Sequence, residues 1–273
     1  IIKPFNLAVS NISPGTTGTD QAICYGTIPA PFTSLTPATS GATYQWQLST
    51  TGITGTYTDI SGATSDTYTH TTAITVDTYF RRKATLGNDF GTAHPIEVLV
   101  NALPVVTVSP SSSSITTGSS VTLTASGAST YSWSPSTGLS ATNVNSVIAS
   151  PTVTTTYTVT AVGANNCAST DQMVLTVLPL PDVNAGSDQT ICAGSNVTLN
   201  GLGANSYVWN NGVVNSVAFA PTSTQTYTVT GTALNGCQSS DQVLVTVNAT
   251  PVALVSIVND VTVSAAPAGM NYQ

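Results

Sequence analysis

Residues 181–248 read PDVNAGSDQTICAGSNVTLNGLGANSYVWNNGVVNSVAFAPTSTQTYTVTGTALNGCQSSDQVLVTVN, and the spacing of their apolar residues decides the fold class. Val197 and Leu199, Tyr207 and Trp209, Val217 and Phe219, Tyr227 and Val229, then Val243, Val245 and Val247 alternate with small or polar residues. A period of two turns one set of side chains inward and the other toward water, as half-buried strands do. Clusters of Gly, Asn, Ser and Pro between these runs supply the turns. Several short strands at close spacing, with one central Trp and a Tyr near the start of a late strand, predict two antiparallel sheets packed face to face. That is an immunoglobulin-like β-sandwich of about seven strands.

The pattern recurs upstream. Tyr131-Ser132-Trp133 matches Tyr207-Val208-Trp209 at an offset of 76 residues, and the run Thr156 to Thr160 matches Thr226 to Thr230 at an offset of 70. The difference falls in the turn SPSTGLSATNVN (134–145), where insertions cost little. Nearer the start, Tyr44-Gln45-Trp46-Gln47 is an alternating strand, and further strands are expected at 67–69, 78–83 and 96–100. The stretch IPAPFTSLTPATSG (28–41) reads as a long loop or irregular edge. Three short Pro-containing segments, NALP (101–104), LPLP (178–181) and NATP (248–251), separate the units. The repeat predicts an all-β linear array: modules at 1–102, 103–179 and 180–248, and the start of a fourth at 249–273. No helix is predicted, because capped 3.6-residue periodicity is missing and β-branched residues and turn formers dominate.

Composition narrows the function. Charged residues are 5% of the chain, where about 25% is usual for soluble domains. Eleven acidic residues against four basic ones give a formal charge of −7, which opposes binding to nucleic acid or an anionic membrane. No apolar run approaches the roughly 20 residues of a membrane span, and Ile1 opens no signal-peptide pattern. Starting without Met and stopping within a repeat, the chain reads as a piece of a longer mature polypeptide.

At TYQWQ (43–47), DTYFRRKAT (77–85), SWSPSTGLS (132–140), TYTVTA (156–161) and VNAGSDQTICAGSNVTLNG (183–201), the chain resembles the Ig-like and PKD-like repeats of giant surface proteins of Bacteroidota. Gliding-motility adhesins and other cargo of the type IX secretion system belong to that group. The resemblance implies export across the outer membrane, display on the cell surface and service as a stalk or adhesive array without enzymatic activity. It also implies neighbouring modules, surface glycans or outer-membrane secretion and attachment proteins as partners. The sorting domain that ends such cargo does not occur in these residues. An accessory array of a secreted hydrolase and a subunit of a self-assembling filament are the alternative readings.

Among candidate site residues the four cysteines stand first. Cys192 precedes the VTLNG strand and Cys237 lies in the turn before the last strand, so a sandwich can bring them to one end. A Cys192–Cys237 disulfide is therefore expected, closing a loop of 45 residues and stabilising by roughly 3 to 4.5 kcal/mol in the chain-entropy model. Cys24 in DQAICYG aligns with Cys192 in DQTICAG, with Phe90 opposite; Cys167 aligns with Cys237, with Thr116 opposite. Lying in different modules, Cys24 and Cys167 are expected to be unbonded, either as reactive thiols or as small buried hydrophobes. His70 and His94 lack ligand spacing, and no CxxC pair exists, so no metal site is expected. Asp182 and Asp188, bracketing the start of the third module, are the candidate calcium ligands or else turn carboxylates. No catalytic constellation is present, since neither histidine lies near a nucleophile-elbow sequence. Arg81-Arg82-Lys83 is a glycan- or carboxylate-binding patch or a charged strand that discourages edge pairing. Thr67 and Thr78, each after an Asp, are the candidate O-linked glycosylation sites.

An array with such short, Pro-restricted linkers is expected to extend. Three sandwiches in line reach on the order of 100 Å, whereas one globule of this length has a radius of gyration near ~19 Å. Small-angle scattering should give a value well above the globular one; a compact value would count against the array.

Overall fold

The computed structural model describes residues 12–251, 253–257 and 263–267. It divides into two compact units, one holding residues through 111 with 122–148 and 156–173, the other holding 112–121, 149–155 and the residues from 174 on.

The first eight strands are β1 (Thr16–Thr17), β2 (Gln21–Cys24), β3 (Ser34–Thr36), β4 (Thr43–Ser49), β5 (Thr58–Asp59), β6 (Thr78–Leu86), β7 (Asp89–Thr92) and β8 (Ile96–Asn101). The large sheet runs β2-β8-β6-β4-β5 with β7 also on β6, and β1 pairs with β3. Phe32, Trp46, Ile74, Phe80, Ile96 and Val98 form the core. The Trp46 indole is buried but satisfied, donating at 3.1 Å to the Ser65 carbonyl. The strand expected at 67–69 is a single bridge between Tyr68 and Phe32. Pro29 and Pro31 precede Phe32 and have no N–H with which to extend a ladder in that direction.

Alternation along β6 turns Thr78, Phe80, Arg82 and Ala84 inward. Arg82 is fully buried, so the middle residue of the basic cluster belongs to the core and not to a surface patch. Its Nη1 donates to Ser34 Oγ (2.6 Å) and to the Asp66 carbonyl (2.9 Å), and its Nη2 to the carbonyls of Pro14 (3.0 Å) and Thr36 (3.1 Å). The guanidinium also lies 4.6 Å from the Tyr44 ring centroid. Nε has no hydrogen-bond partner. Gly15, at φ +70°, lets the chain pass so close to Arg82 and Thr36 that a Cβ would strike both.

The next strands are β9 (Thr107–Ser109), β10 (Ser112–Thr116), β11 (Val121–Ser126), β12 (Thr130–Ser134), β13 (Ser146–Ala149), β14 (Thr155–Val162) and β15 (Ala168–Leu178). They form sheets in the orders β10-β15-β14-β12 and β13-β11-β9. The third set is β16 (Gln189–Cys192), β17 (Val197–Thr198), β18 (Ser206–Trp209), β19 (Ala218–Phe219), β20 (Gln225–Thr232) and β21 (Gln238–Asn248), in the orders β16-β21-β20-β18 and β17-β19. Its core holds Val197, Leu199, Trp209, Tyr227, Val229, Val243 and Val245, the residues whose alternation decided the fold class. The shared topology makes the chain all-β, in tandem Ig-like form. One turn of 3₁₀ helix, Asn210–Gly212, follows the third Trp. A further hairpin pairs β22 (Ala253–Ile257) with β23 (Val263–Pro267), while past Pro251 the rest of the fourth module expected at 249–273, Asn271, Tyr272 and Gln273 included, lies outside the described residues.

In all three sets a short strand runs parallel to the last one: β2 on β8, β10 on β15 and β16 on β21. Asp171 and Asp241 bond the segment opening their own sandwich, accepting from the Val108 and Ala185 amides. Backbone donation from Ala185 and then Gln242 holds the Asp241 carboxyl below its ordinary value. Its stabilising effect is therefore present above about pH 4 and is lost as pH falls through the lowered folded value.

Replacing Arg82 by Met should remove the donor that Ser34 Oγ and the Pro14, Thr36 and Asp66 carbonyls share and cost roughly 3 kcal/mol, read as a lower urea midpoint. Arg82→Lys should fall short as well, because an ammonium cannot fork to four acceptors. Midpoints equal to that of the unsubstituted protein would refute this account.

Candidate functional site

Parallel pairing decides where the cysteines stand. In β2 the register is Cys24 with Asn101, so Cys24 closes its strand where the chain leaves the first sandwich through Ala102, Leu103 and Pro104. The Tyr25 amide donates to the Asn101 carbonyl (2.8 Å), and the turn is closed by the Thr27 amide on the Cys24 carbonyl (3.0 Å).

Cys167 lies in the hairpin turn between β14 and β15. The Gly163 amide donates to the Cys167 carbonyl (2.9 Å), the Cys167 amide donates to Asn165 Oδ1 (3.2 Å), and Asn166 is left-handed at φ 61°. Asn165 Nδ2 in turn donates to the Ala102 carbonyl at 2.9 Å. One side chain thus shapes the turn and seats it on the linker. There Cys24 and Cys167 are joined by a disulfide, with Cα atoms 5.5 Å apart and a sequence separation of 143.

This reverses the expected pairing. Cys192 is an exposed thiol and Cys237 a buried one, and the two are not bonded. Cys192 pairs with Asn248 at one end of β21, whereas Cys237 precedes Gln238 at the other. Eleven residues of strand at ~3.3 Å each hold them some 35 Å apart, far beyond the ~7 Å that a disulfide spans between Cα atoms. The available signal was the DQ-x-I-C strand ending beside an N-A-x-P linker, which puts that cysteine next to the following module.

Other expected sites fare differently. Thr78 is buried, with Oγ1 donating to the Val76 carbonyl (2.9 Å), which removes it as a glycosylation acceptor. Thr67 is exposed. Asp188 Oδ1 accepts from the Leu244 amide (2.8 Å), as Asp20 Oδ1 accepts from Glu97 (2.8 Å), so this carboxylate locks the parallel strand. Among the described residues no three His, Cys, Asp or Glu side chains converge as metal ligands. His70 bonds Tyr68 and Thr72, and His94 lies 2.9 Å from the Pro95 carbonyl. Burial lowers the His70 pKa.

The basic strand β6 lies between β8 and β4, so it guards no sheet edge and that reading is overturned. Its outer face carries a ladder instead. Arg81 lies 3.8 Å from the Tyr57 ring centroid and donates from Nε to Gln47 Oε1 (2.8 Å), whose Nε2 donates to Asp59 Oδ1 (2.6 Å). Lys83 Nζ lies 4.8 Å from the Phe90 ring centroid, and the Tyr79 hydroxyl donates to Glu97 Oε1 (2.9 Å). Burial raises the Tyr57 pKa, with Arg81 opposing, and the bond to Glu97 raises that of Tyr79.

A family described only as a domain of unknown function (DUF8696) matches residues 13–102. No curated protein matches the chain. Among solved structures, it is similar to extracellular domains 3–5 of Drosophila OTK at 11% identity and TM-score 0.32, covering 86% of this chain and 96% of that one. It is also similar to the insect immune protein hemolin, at 15% identity and TM-score 0.34, covering 85% and 76%. At such scores the chain's own residues must carry the functional argument.

The isolated chain should expose one thiol to a thiol reagent when folded, two when unfolded, and four after reduction. Mass spectrometry after stepwise alkylation reads these numbers, and a Cys192–Cys237 peptide would refute the pairing described.

Proposed function

We propose that the chain is a non-enzymatic extracellular repeat region, the stalk or adhesive array of a bacterial surface protein exported by a type IX-like route. The observation that carries this reading is the Cys24–Cys167 bond, which ties the exit of one sandwich to the β14–β15 hairpin of the next. Disulfides of this kind persist in oxidising compartments. Closing so long a loop stabilises by roughly 5 kcal/mol in the chain-entropy model, a useful property in a load-bearing chain. The side chains that hydrolytic chemistry would recruit are spent on local bonds: both histidines on neighbouring residues, Asp20 and Asp188 on strand amides. The resemblance of the repeats supports the bacterial surface and the export route.

Neighbouring modules are the first partners of such an array, with secretion or attachment proteins of the outer membrane at its ends. Its adhesive surface is the β6 face, where Tyr57 offers a ring for stacking and Arg81 and Asp59, held in place by the buried Gln47, offer a donor and an acceptor for sugar hydroxyls.

An antibody against residues 12–248 should stain unpermeabilised source cells; staining that requires permeabilisation would defeat the surface reading. Under force, the oxidised chain should withhold the segment between the bonded cysteines, whose sequence separation is 143. At ~3.5 Å per residue, reduction should then release about 500 Å of extra contour length. Equal extension in both redox states would remove the mechanical role.

A further inference from the structure

Cys192 repeats the strand register and the turn closure of Cys24. Each ends a short strand parallel to the last strand of its sandwich, Cys24 in register with Asn101 and Cys192 with Asn248. The next amide, of Tyr25 or Ala193, donates to that asparagine's carbonyl, and the amide three residues on, of Thr27 or Ser195, donates back to the cysteine carbonyl. The linkers that follow are Asn101-Ala102-Leu103-Pro104 and Asn248-Ala249-Thr250-Pro251. One of these two cysteines is bonded, and the other is an exposed thiol.

The bonding partner recurs too. Cys237 sits in its turn as Cys167 does, with its amide donating to Asn235 Oδ1 (3.0 Å) and the Ala233 amide donating to its carbonyl (2.9 Å). Gly236 takes the left-handed position that Asn166 fills in the earlier turn. Asn235 Nδ2 donates to the Pro179 carbonyl (3.0 Å), the same linker position that Asn165 holds at Ala102. The seating of an Asn-x-Cys turn on the preceding linker thus occurs twice. At the second occurrence the strand position in register with the linker's first residue is Thr116, paired with Leu178, so only one sulfur is present.

We infer that Cys192 is a disulfide-forming site whose partner is the Asn-x-Cys turn of a further module of this kind, seated on the linker after Asn248. The inference rests on the repeat-array reading above. Cys167 follows Pro104 by 63 residues and Cys237 follows Pro181 by 56, and no cysteine lies between Asn248 and Gln273. The partner therefore stands 56 to 63 residues beyond Pro251. Oxidation proceeds by exchange with a disulfide-bearing oxidant: two thiols lose two protons and two electrons, one sulfur–sulfur bond forms, and the oxidant leaves as two thiols.

Two measurements test this. In the 273-residue chain, Thr116→Cys supplies the missing sulfur at the second junction. Under oxidised glutathione the introduced thiol should bond Cys237, with loss of both thiols to alkylation and an unchanged circular dichroism spectrum. Two thiols persisting in a folded variant would show that the arrangement does not transfer, and would overturn the inference. In the native longer protein, alkylation without reduction followed by peptide mapping should find Cys192 joined to a cysteine in an Asn-x-Cys turn at the stated distance. An alkylated Cys192, or one joined to Cys237 or to Cys192 of a second copy, would overturn it. Surface staining of cells is read separately, so it can stand while the cross-link fails.

Discussion

A short strand lying parallel to the last strand is the constraint on which the layout of each sandwich depends. Antiparallel hairpins alone would send each successive strand back to the end it came from. The parallel partners β2, β10 and β16 instead finish where the chain departs, beside Asn101, Leu178 and Asn248. Asp20 and Asp188 pin two of these strands by accepting an amide from the last strand. The exit of each of the first two sandwiches is consequently a built surface of strand end, tight turn and linker carbonyl, onto which an asparagine amide docks.

The first sandwich adds a second device. Its 28–41 segment is broken by prolines and holds little regular ladder, so ordinary strand pairing cannot fasten it. One guanidinium does so instead, joining Pro14, Ser34, Thr36 and Asp66 from the centre of the opposing sheet. Four oriented dipoles and the Tyr44 ring replace the counter-ion that a buried cation usually requires. The arrangement explains why a chain so poor in charge places one of its few cations in the core.

Most of the fold was legible because period-two alternation is local. Trp46, Trp133 and Trp209 are buried as their strands predicted, and Val243 and Val245 face the third core. Alternation along β6 puts Arg82 on the face opposite Arg81 and Lys83, but three of its four acceptors are backbone carbonyls, which no side-chain pattern announces. The cysteines were misread for a related reason. Alignment showed correctly which positions correspond, yet the direction of a four-residue strand is a long-range property, and direction decides whether Cys192 lies near Cys237 or a strand's length away. The edge-guarding role given to β6 failed likewise, since strand order in a sheet is not written in any one strand.

The sequence separation of the Cys24–Cys167 pair also orders events in time. A ribosome adding 5 to 20 residues per second delivers Cys24 roughly 7 to 30 s before Cys167. The first sandwich thus has its full set of strands while its own cysteine is still unmatched, and the bond records that the second has arrived. Cys167 also emerges before Cys192 and Cys237. The first turn cysteine to follow Cys24 along the chain is therefore its native partner.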